Sequence, residues 1–426
     1  MKSKSLWLIG AASAALMLTV PPAQAAASSN SSSTASSTAI ADTNQRIDDV
    51  NARLDALEAE LQGAETRAAA DHDATASTAS SILGAWWSNT NISGRMYFDA
   101  SYIDQTTNGV RSGASNGTAF DIKRFYIGID HKFDDVFSAN VTTDFTFDSG
   151  SGVNQIFVKK AYLQAKVSDA LVFKLGSTDM PWIPFVEDIY GYRYVENTTV
   201  DRLKLGNSAD WGAHVSGKLP LMDGATLSYA LSVVNGAGYK KANLFRTNGP
   251  DVEGRVNVNY GDYVIGVGGY VGKLGVQFGG AEHHEASRFD AIAAWTPKDI
   301  RIGVETFITD NFASVGSTTQ RDQDTGVSGF ASWTFMPQWS VFGRYDFTER
   351  DILTLPATRH LTPDDYFNVG LEWNPVKIVD LSLVYKHENV SGGQIATASS
   401  GTIGGTALTV GRGAYNEVGL FGQLRW

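Results

Sequence analysis

Strict alternation of apolar and polar residues over long segments is the feature that most constrains how this chain folds. In residues 137–148, FSANVTTDFTFD, every second side chain is apolar or small and those between are polar. A tilted β-strand needs about 9 to 11 residues to cross a bilayer, whereas strands in soluble proteins usually have about 5 or 6. The pattern therefore predicts strands that cross a membrane, with one face towards lipid and the other towards water.

The same pattern recurs from residue 91 to the end of the chain and predicts sixteen such strands. Short turn-like connections alternate strictly with longer ones, which is the asymmetry of outer-membrane barrels. The last strand ends on Trp426, and a terminal aromatic residue resembles the insertion signal of outer-membrane proteins. We expect an all-β fold, a 16-stranded antiparallel transmembrane β-barrel over residues 91–426, preceded by a short N-terminal coiled-coil helix.

The first residues have the pattern of a secretory signal. Lys2 and Lys4 precede an apolar run, and Ala23-Gln24-Ala25 fits a cleavage site, so residues 1–25 are predicted to be a signal peptide. Residues 26–39 are mostly Ser, Ala and Thr, which is typical of a flexible linker. Export agrees with a barrel in an outer membrane.

Residues 40–66 carry a heptad pattern. Ile40, Ile47, Leu54 and Leu61 recur every seven residues, with Val50 and Leu57 at the intervening spacing. This predicts a periplasmic coiled coil, compatible with a trimer, although a dimer remains open. Residues 67–90 are predicted to be a second linker. We therefore expect a homotrimer.

Composition excludes several classes of protein. The formal net charge is −11, which makes nucleic acid an unexpected partner. The chain has 0 cysteines, so neither disulfides nor Cys-ligated metals are expected. No motif predicts an enzyme: we expect no catalytic residues, no metal site and no cofactor.

One long connection, residues 179–207, interrupts the strands. It is rich in aromatic residues, which argues against disorder, and it has no helix or strand period. We predict that it folds into the barrel as a constriction loop, where opposing charges set ion selectivity and aromatic rings anchor it to the wall. Its candidate functional residues are Trp182, Glu187, Asp188, Tyr192, Arg193, Tyr194, Arg202 and Lys204.

Charged residues in the strands are expected on the lumen side, because Arg or Lys facing lipid at mid-bilayer destabilises a barrel by roughly 2 to 4 kcal/mol. A polar wall of mixed sign follows from this. The candidate lumen-wall residues are Arg95, Arg124, Asp144, Lys160, Lys174, Arg301 and Arg344.

Several segments resemble the phosphate-selective porin O and P family. They are KRFYIGID at Lys123–Asp130, KKAYLQ at Lys159–Gln164, and the loop motifs DMPW at Asp179–Trp182, ED at Glu187–Asp188 and GYRY at Gly191–Tyr194. The resemblance extends from about residue 90 to the end. It implies a trimeric sixteen-stranded outer-membrane channel, in some members with an N-terminal coiled coil and with selectivity for phosphate through basic residues.

The sequence as a whole predicts a porin in the outer membrane of a Gram-negative bacterium, through which small hydrophilic solutes or ions diffuse passively. A phosphate- or anion-selective channel is one alternative. The other is a structural anchor that tethers the outer membrane through its coiled coil. The expected partners are other copies of the chain, outer-membrane lipid and lipopolysaccharide, and small hydrophilic solutes or anions.

Overall fold

The computed structural model describes residues 33–111, 116–148, 153–241, 249–276, 284–354, 358–405 and 411–426. The predicted signal peptide lies outside these residues. The chain divides into two units, Met1–Ile82 and Leu83–Trp426. None of the described helices is long and apolar enough to span a membrane.

A single long helix, α1 (Ser33–Trp87), contains the predicted coiled-coil segment and continues beyond it. The predicted linker over 67–90 is therefore wrong for residues 67–87, and residues 33–39 of the other predicted linker are helical too. Alanine, the strongest helix former, recurs in both segments and explains the difference, since small residues alone do not distinguish a helix from a linker. Ile47, Leu54 and Leu61 are all more than half exposed in the single chain.

Sixteen long antiparallel strands form a closed barrel, which confirms the predicted fold class. The strands are β1 (Thr90–Thr107), β2 (Gly117–Lys132), β3 (Phe137–Asp148), β4 (Val153–Ser168), β5 (Leu171–Asp179), β6 (Ala209–Pro220), β7 (Thr226–Val234), β8 (Asp251–Tyr260), β9 (Tyr263–Gly272), β10 (Ala286–Trp295), β11 (Ile300–Asp310), β12 (Gln320–Met336), β13 (Trp339–Thr354), β14 (Thr358–Val376), β15 (Val379–Ser391) and β16 (Arg412–Arg425).

Burial alternates along the strands as the sequence predicts. In β13, Arg344 and Asp346 are buried, whereas Tyr345 and Phe347 are exposed on the other face. Because successive side chains of a strand point to opposite faces, the polar set lies inside the barrel and the apolar set outside. Most of the barrel wall thus follows this alternation of inward polar and outward apolar side chains.

A β-bulge in β2 breaks this rule. The register between β1 and β2 shifts beside Lys123, which has no residue opposite it. Lys123 Nζ lies 3.1 Å from the Asp99 carboxylate, and the next residue, Arg124, lies 2.9 Å from Asp144. Two consecutive basic side chains therefore reach carboxylates inside the barrel, which alternation alone forbids.

A second bulge in β4 has the same effect. The register between β3 and β4 shifts beside Lys159, and both Lys159 and Lys160 line one interior cavity. Alternation predicted an inward Lys160, as the structure has it, but it missed Lys159. The two bulges together add two basic side chains, Lys123 and Lys159, to this part of the wall.

The barrel closes where β1 meets β16. Gly94 and Trp426 exchange two backbone hydrogen bonds, of 3.0 and 3.1 Å, and the Trp426 ring covers Gly94 so closely that a Cβ there would overlap it. Glycine is thus required at residue 94 for packing at the seam.

Substituting Gly94 tests the seam. We expect Gly94→Ala to lower the free energy of unfolding by roughly 1 to 3 kcal/mol, the usual effect of overpacking a tight contact. The matched control is Gly329→Ala, since a Cβ at Gly329 meets nothing within 4 Å. Urea unfolding of the refolded barrel, followed by its gel mobility shift on heating, measures both. Equal stability of the two variants would contradict the role of Gly94.

Candidate functional site: the constriction loop and the lumen beside it

The predicted loop between β5 and β6 contains two short helices, α2 (Ile183–Tyr190) and α3 (Thr199–Arg202). The expectation of no regular structure there was therefore wrong. Pro184 lies in the first turn of α2, and Gly191 ends the helix in a left-handed conformation with φ 81°. Proline near a helix start and glycine just after its end are ordinary helix signals, and they were present in the sequence.

Trp182 fixes the start of α2 inside the barrel. Its side chain is fully buried, its indole Nε1 donates to Glu305 at 2.8 Å, and its backbone N–H donates to Glu253 at 2.8 Å. Glu253 lies on β8 and Glu305 on β11. The loop is thus held inside the barrel by the wall, as predicted, and Trp182 serves as an anchor.

Tyr192 and Tyr194 hold the middle of the loop. The Tyr192 ring stacks on Phe342 with 4.0 Å between centroids. Both phenols donate to the Glu372 carboxylate, Tyr192 at 3.3 Å and Tyr194 at 2.8 Å. These rings pack against the wall and anchor the loop there, as the sequence predicts.

Arg202 holds the end of the loop in a fully buried ion cluster. Its guanidinium lies 3.3 Å from Asp346, 3.0 Å from Asp364 and 2.6 Å from Glu388. It also faces the ring of Tyr366 at 4.4 Å. Arg202 was predicted to contribute to ion selectivity at the constriction. Its complete burial gives it a structural role instead.

Arg344 reaches from the wall into the same cluster. It donates to Asp346 at 2.6 Å, to the Thr199 hydroxyl at 3.1 Å and to the backbone carbonyl of Asn197 at 2.5 Å. It was predicted as a lumen-wall residue and does lie on the inner face, but it is buried beneath the loop. Lys204, in contrast, is exposed, and its backbone adopts a left-handed φ of 59°.

The loop carboxylate Glu196 forms a further buried contact with the wall. It lies 3.1 Å from Lys386, which is also 3.0 Å from Glu417. Burial alone would raise the pKa of Glu196, but Lys386 and the nearby Lys123 outweigh it and lower the pKa to about 2. The carboxylate therefore stays ionised and paired at every ordinary pH.

An inward-folded hairpin between β15 and β16 covers this part of the loop. Its strands, Gln394–Ala396 and Thr402–Gly404, pair with each other. The Ala398 N–H donates to the Arg202 carbonyl at 2.7 Å, and the Ser399 hydroxyl donates to Glu196. No motif in this connection signals an inward fold, so its contact with the loop was not predicted.

Three charged loop residues remain near the open lumen. Arg193 lies 2.5 Å from Glu187 and 3.2 Å from Asp201. Asp188 is exposed and has no ion pair within the described residues. Its partial enclosure, together with the Glu187 and Asp179 carboxylates, raises the pKa of Asp188. These residues were predicted for the constriction, and here they lie together on one edge of the loop.

The predicted wall residues of β1 to β4 face that edge. Arg124 is paired with Asp144 and Lys160 with Asp179, at 2.9 and 2.5 Å. Arg95 is exposed and donates to the Tyr97 hydroxyl at 3.3 Å. The structure therefore brings most of the predicted loop and wall charges to one place.

Lys174 and Arg301 lie elsewhere in the lumen. Lys174 lines an adjoining cavity of about 250 Å³, which Asp179 and Asp188 also line, and faces the Tyr162 ring at 4.6 Å. Arg301 packs against Gly191 and lines a cavity of about 240 Å³. Neither residue lines the cavity that Arg95 lines, but each of them shares a neighbouring cavity with Asp188.

A cavity of about 540 Å³ occupies the space between this wall and α2. We call it the central cavity. Its charged and aromatic lining residues include Arg95, Tyr97, Tyr126, Asp130, Lys159, Lys160, Tyr162, Asp179, Glu187, Asp188, Arg193 and Arg425. The arrangement provides a polar space of mixed sign beside the loop, of a size that admits small polar solutes.

Solved outer-membrane proteins share this fold. OmpT, an outer membrane protein of Vibrio cholerae, has a TM-score of 0.51 at 14% identity, covering 79% of this chain and 97% of that chain. The trimer form of OmpT has a TM-score of 0.51 at 11% identity, covering 79% and 99%. An anion-selective porin from Comamonas acidovorans has a TM-score of 0.50 at 11% identity, covering 79% and 99%. At these identities the likeness establishes the fold.

No protein-family model matches the chain, and no curated protein matches it. The more specific resemblance to the phosphate-selective porin O and P family therefore stays a prediction.

The Arg202 cluster generates a stability prediction. Replacing Arg202 with Met leaves Asp346, Asp364 and Glu388 buried with one cation fewer. Breaking a buried ion pair from one side usually destabilises by about 3 to 5 kcal/mol, so we expect a loss of this size in Arg202→Met. Urea unfolding measures it, and limited proteolysis of residues 179–207 should detect a released loop. Lys204→Met, at an exposed cation of the same loop, is the control. An equal loss of unfolding free energy in both variants would contradict the structural role of Arg202.

Proposed function

We propose that this protein is an outer-membrane porin of a Gram-negative bacterium, through which small hydrophilic solutes or ions diffuse passively. The observation that carries the proposal is the central cavity: a polar space inside a closed barrel, bounded by a loop fixed to the opposite wall. A barrel filled by packed side chains would serve only as an anchor. The likeness to solved porins supports the same conclusion.

The outer face suits lipid. Leu175, Ile265 and Phe120 are among its most exposed side chains, at 68%, 64% and 85%. Burying such residues against acyl chains is favourable, so outer-membrane lipid and lipopolysaccharide are the proposed surroundings.

An enzymatic role has no support in the geometry of the loop, and the prediction that the chain is not an enzyme stays a prediction.

A homotrimer is the proposed assembly. The heptad residues of α1 form an apolar stripe that is exposed to water in a single chain. Packing against the same stripe of other copies would bury it and stabilise the helix. One of the similar structures is described as a trimer form. The coiled coil over 40–66 is part of this proposal.

Selectivity is proposed to be weak. Most charges around the central cavity are paired with a partner of opposite sign, so neither sign dominates the field that a passing ion meets. An anion-selective channel is the second candidate, favoured by the two bulges that add Lys123 and Lys159 to the wall. The family resemblance implies a more specific version of this second candidate, a channel selective for phosphate.

Planar-bilayer recording of the purified protein tests the channel. We expect stepwise conductance, with openings in groups of three if the chain is a trimer, and a small reversal potential under a KCl gradient. A strong anion preference with block by phosphate would favour the second candidate. Absence of conductance would refute the channel and leave the anchor.

Asp188 offers a test of how the loop edge acts on ions. Asp188→Asn removes an exposed negative charge from the lumen, so the reversal potential should move towards anion preference. Because the pKa of Asp188 is raised, it takes up its proton at a higher pH than an ordinary aspartate. Acidifying the wild-type channel should therefore give a shift of the same sign, and the variant should show less of it.

The control for this substitution is Asp223→Asn, at an exposed residue in the turn Met222–Gly224 between β6 and β7. It should leave the reversal potential unchanged. An identical shift in both variants would show that net charge, and not the position of Asp188, sets the preference.

A further inference from the structure

The charges that line the central cavity divide into paired and unpaired groups. Lys160 is paired with Asp179, and Arg193 with Glu187. At the far side Arg425 is paired with Asp380, at 2.8 Å. These side chains already have partners of opposite sign, so a solute gains little by replacing either member.

Two other cavity residues are already engaged by neutral partners. Asp130 accepts a hydrogen bond from the Asn140 amide at 2.8 Å. Lys159 is buried, donates to the Tyr126 hydroxyl at 3.4 Å, and faces the rings of Tyr126 and Tyr239 at 4.7 and 5.8 Å. Cation–π contacts of this kind stabilise a desolvated ammonium group. Lys159 therefore already has partners for its ammonium group, although its charge still contributes to the field in the cavity.

Arg95 and Asp188 are exposed charges of the same cavity, and Arg95 uses one of its several donors on the Tyr97 hydroxyl at 3.3 Å. Both side chains are exposed to the cavity, and within the described residues neither forms an ion pair. They nevertheless lie close enough to act on each other electrostatically. A guanidinium on β1 and a carboxylate on α2 thus line one space without forming an ion pair.

We propose that the central cavity binds small zwitterionic solutes of the α-amino acid class, with the solute carboxylate on Arg95 and its ammonium group on Asp188. This inference rests on the proposed channel and names the solute class that its lumen favours. A zwitterion has a positive and a negative group a few atoms apart, which matches two unpaired charges that do not touch. A simple anion or cation would satisfy one of them and be repelled by the other.

The rest of the lining suits the same class. Tyr97 and Tyr126 lie edge to face with 6.0 Å between ring centroids and give the cavity an apolar side. The Arg95 guanidinium is planar and can bind a carboxylate through two hydrogen bonds. At about 540 Å³ the cavity is in the size range of small-molecule sites, so an amino acid enters with water around it.

Liposome swelling with two isomeric solutes tests the proposal. L-alanine is a zwitterion and lactamide is neutral, yet they have the same atoms and nearly the same size. We expect wild-type proteoliposomes to admit alanine faster relative to lactamide than Arg95→Met/Asp188→Asn proteoliposomes do. The ratio of rates should fall about threefold in the double variant, as for the loss of an exposed charge pairing. Protein-free liposomes supply the background rates.

The control is Lys166→Met/Asp169→Asn, which removes an exposed ion pair at the turn after β4. Like the test variant, it removes one cation and one carboxylate and leaves the net charge unchanged. The alanine-to-lactamide ratio should stay at the wild-type value. Gel mobility shift on heating confirms that both variants fold.

The outcomes separate the two proposals. If the wild-type protein admits neither solute, the channel itself is refuted. If both solutes enter and the ratio is the same in the wild type and the Arg95/Asp188 variant, the channel stands and the zwitterion site is overturned. An equal fall in the control variant would also overturn it, because the effect would then not belong to the cavity.

Discussion

The buried ion cluster around Arg202 is the interaction on which the lumen depends. One guanidinium from the loop meets carboxylates from β13, β14 and β15, so three strands and the loop are tied at a single point. Desolvating such charges is costly, and apolar residues of similar volume are often as stable. The hydrogen bonds of the Arg202 cluster are directional, so they fix the loop in one position more strictly than apolar contacts would. With the loop fixed to that side of the barrel, the space along β1 to β4 stays open.

The fold was largely predictable because alternation is a local property repeated in each strand. Strand positions, the closed barrel and an inward loop all follow from periodicity and from where the period stops. The bulges at Lys123 and Lys159 were not predictable, since one extra residue in a strand leaves no mark on composition. Without them, alternation assigns both lysines to lipid.

The candidate site was predicted in its residues more than in their roles. Trp182, Tyr192 and Tyr194 are anchors, as aromatic residues in a loop suggest, and Asp188 and Arg95 face open space. Arg202 and Arg344 were grouped with them by charge alone, yet they are buried. Burial depends on which wall the loop approaches, a long-range choice that no short segment of sequence encodes. The inward fold of the hairpin that covers Glu196 likewise depends on long-range contacts and was not predictable from its own sequence.

The seam between Gly94 and Trp426 has a consequence for biogenesis. One edge of β1 pairs with β2, but the other edge pairs with β16, more than three hundred residues later in the sequence. Until synthesis and export are complete, β1 has one unpaired edge, and unpaired edges promote aggregation. Closure is also a contact of very long sequence separation, which slows folding. The free edge of β1 therefore needs protection from other chains until β16 pairs with it.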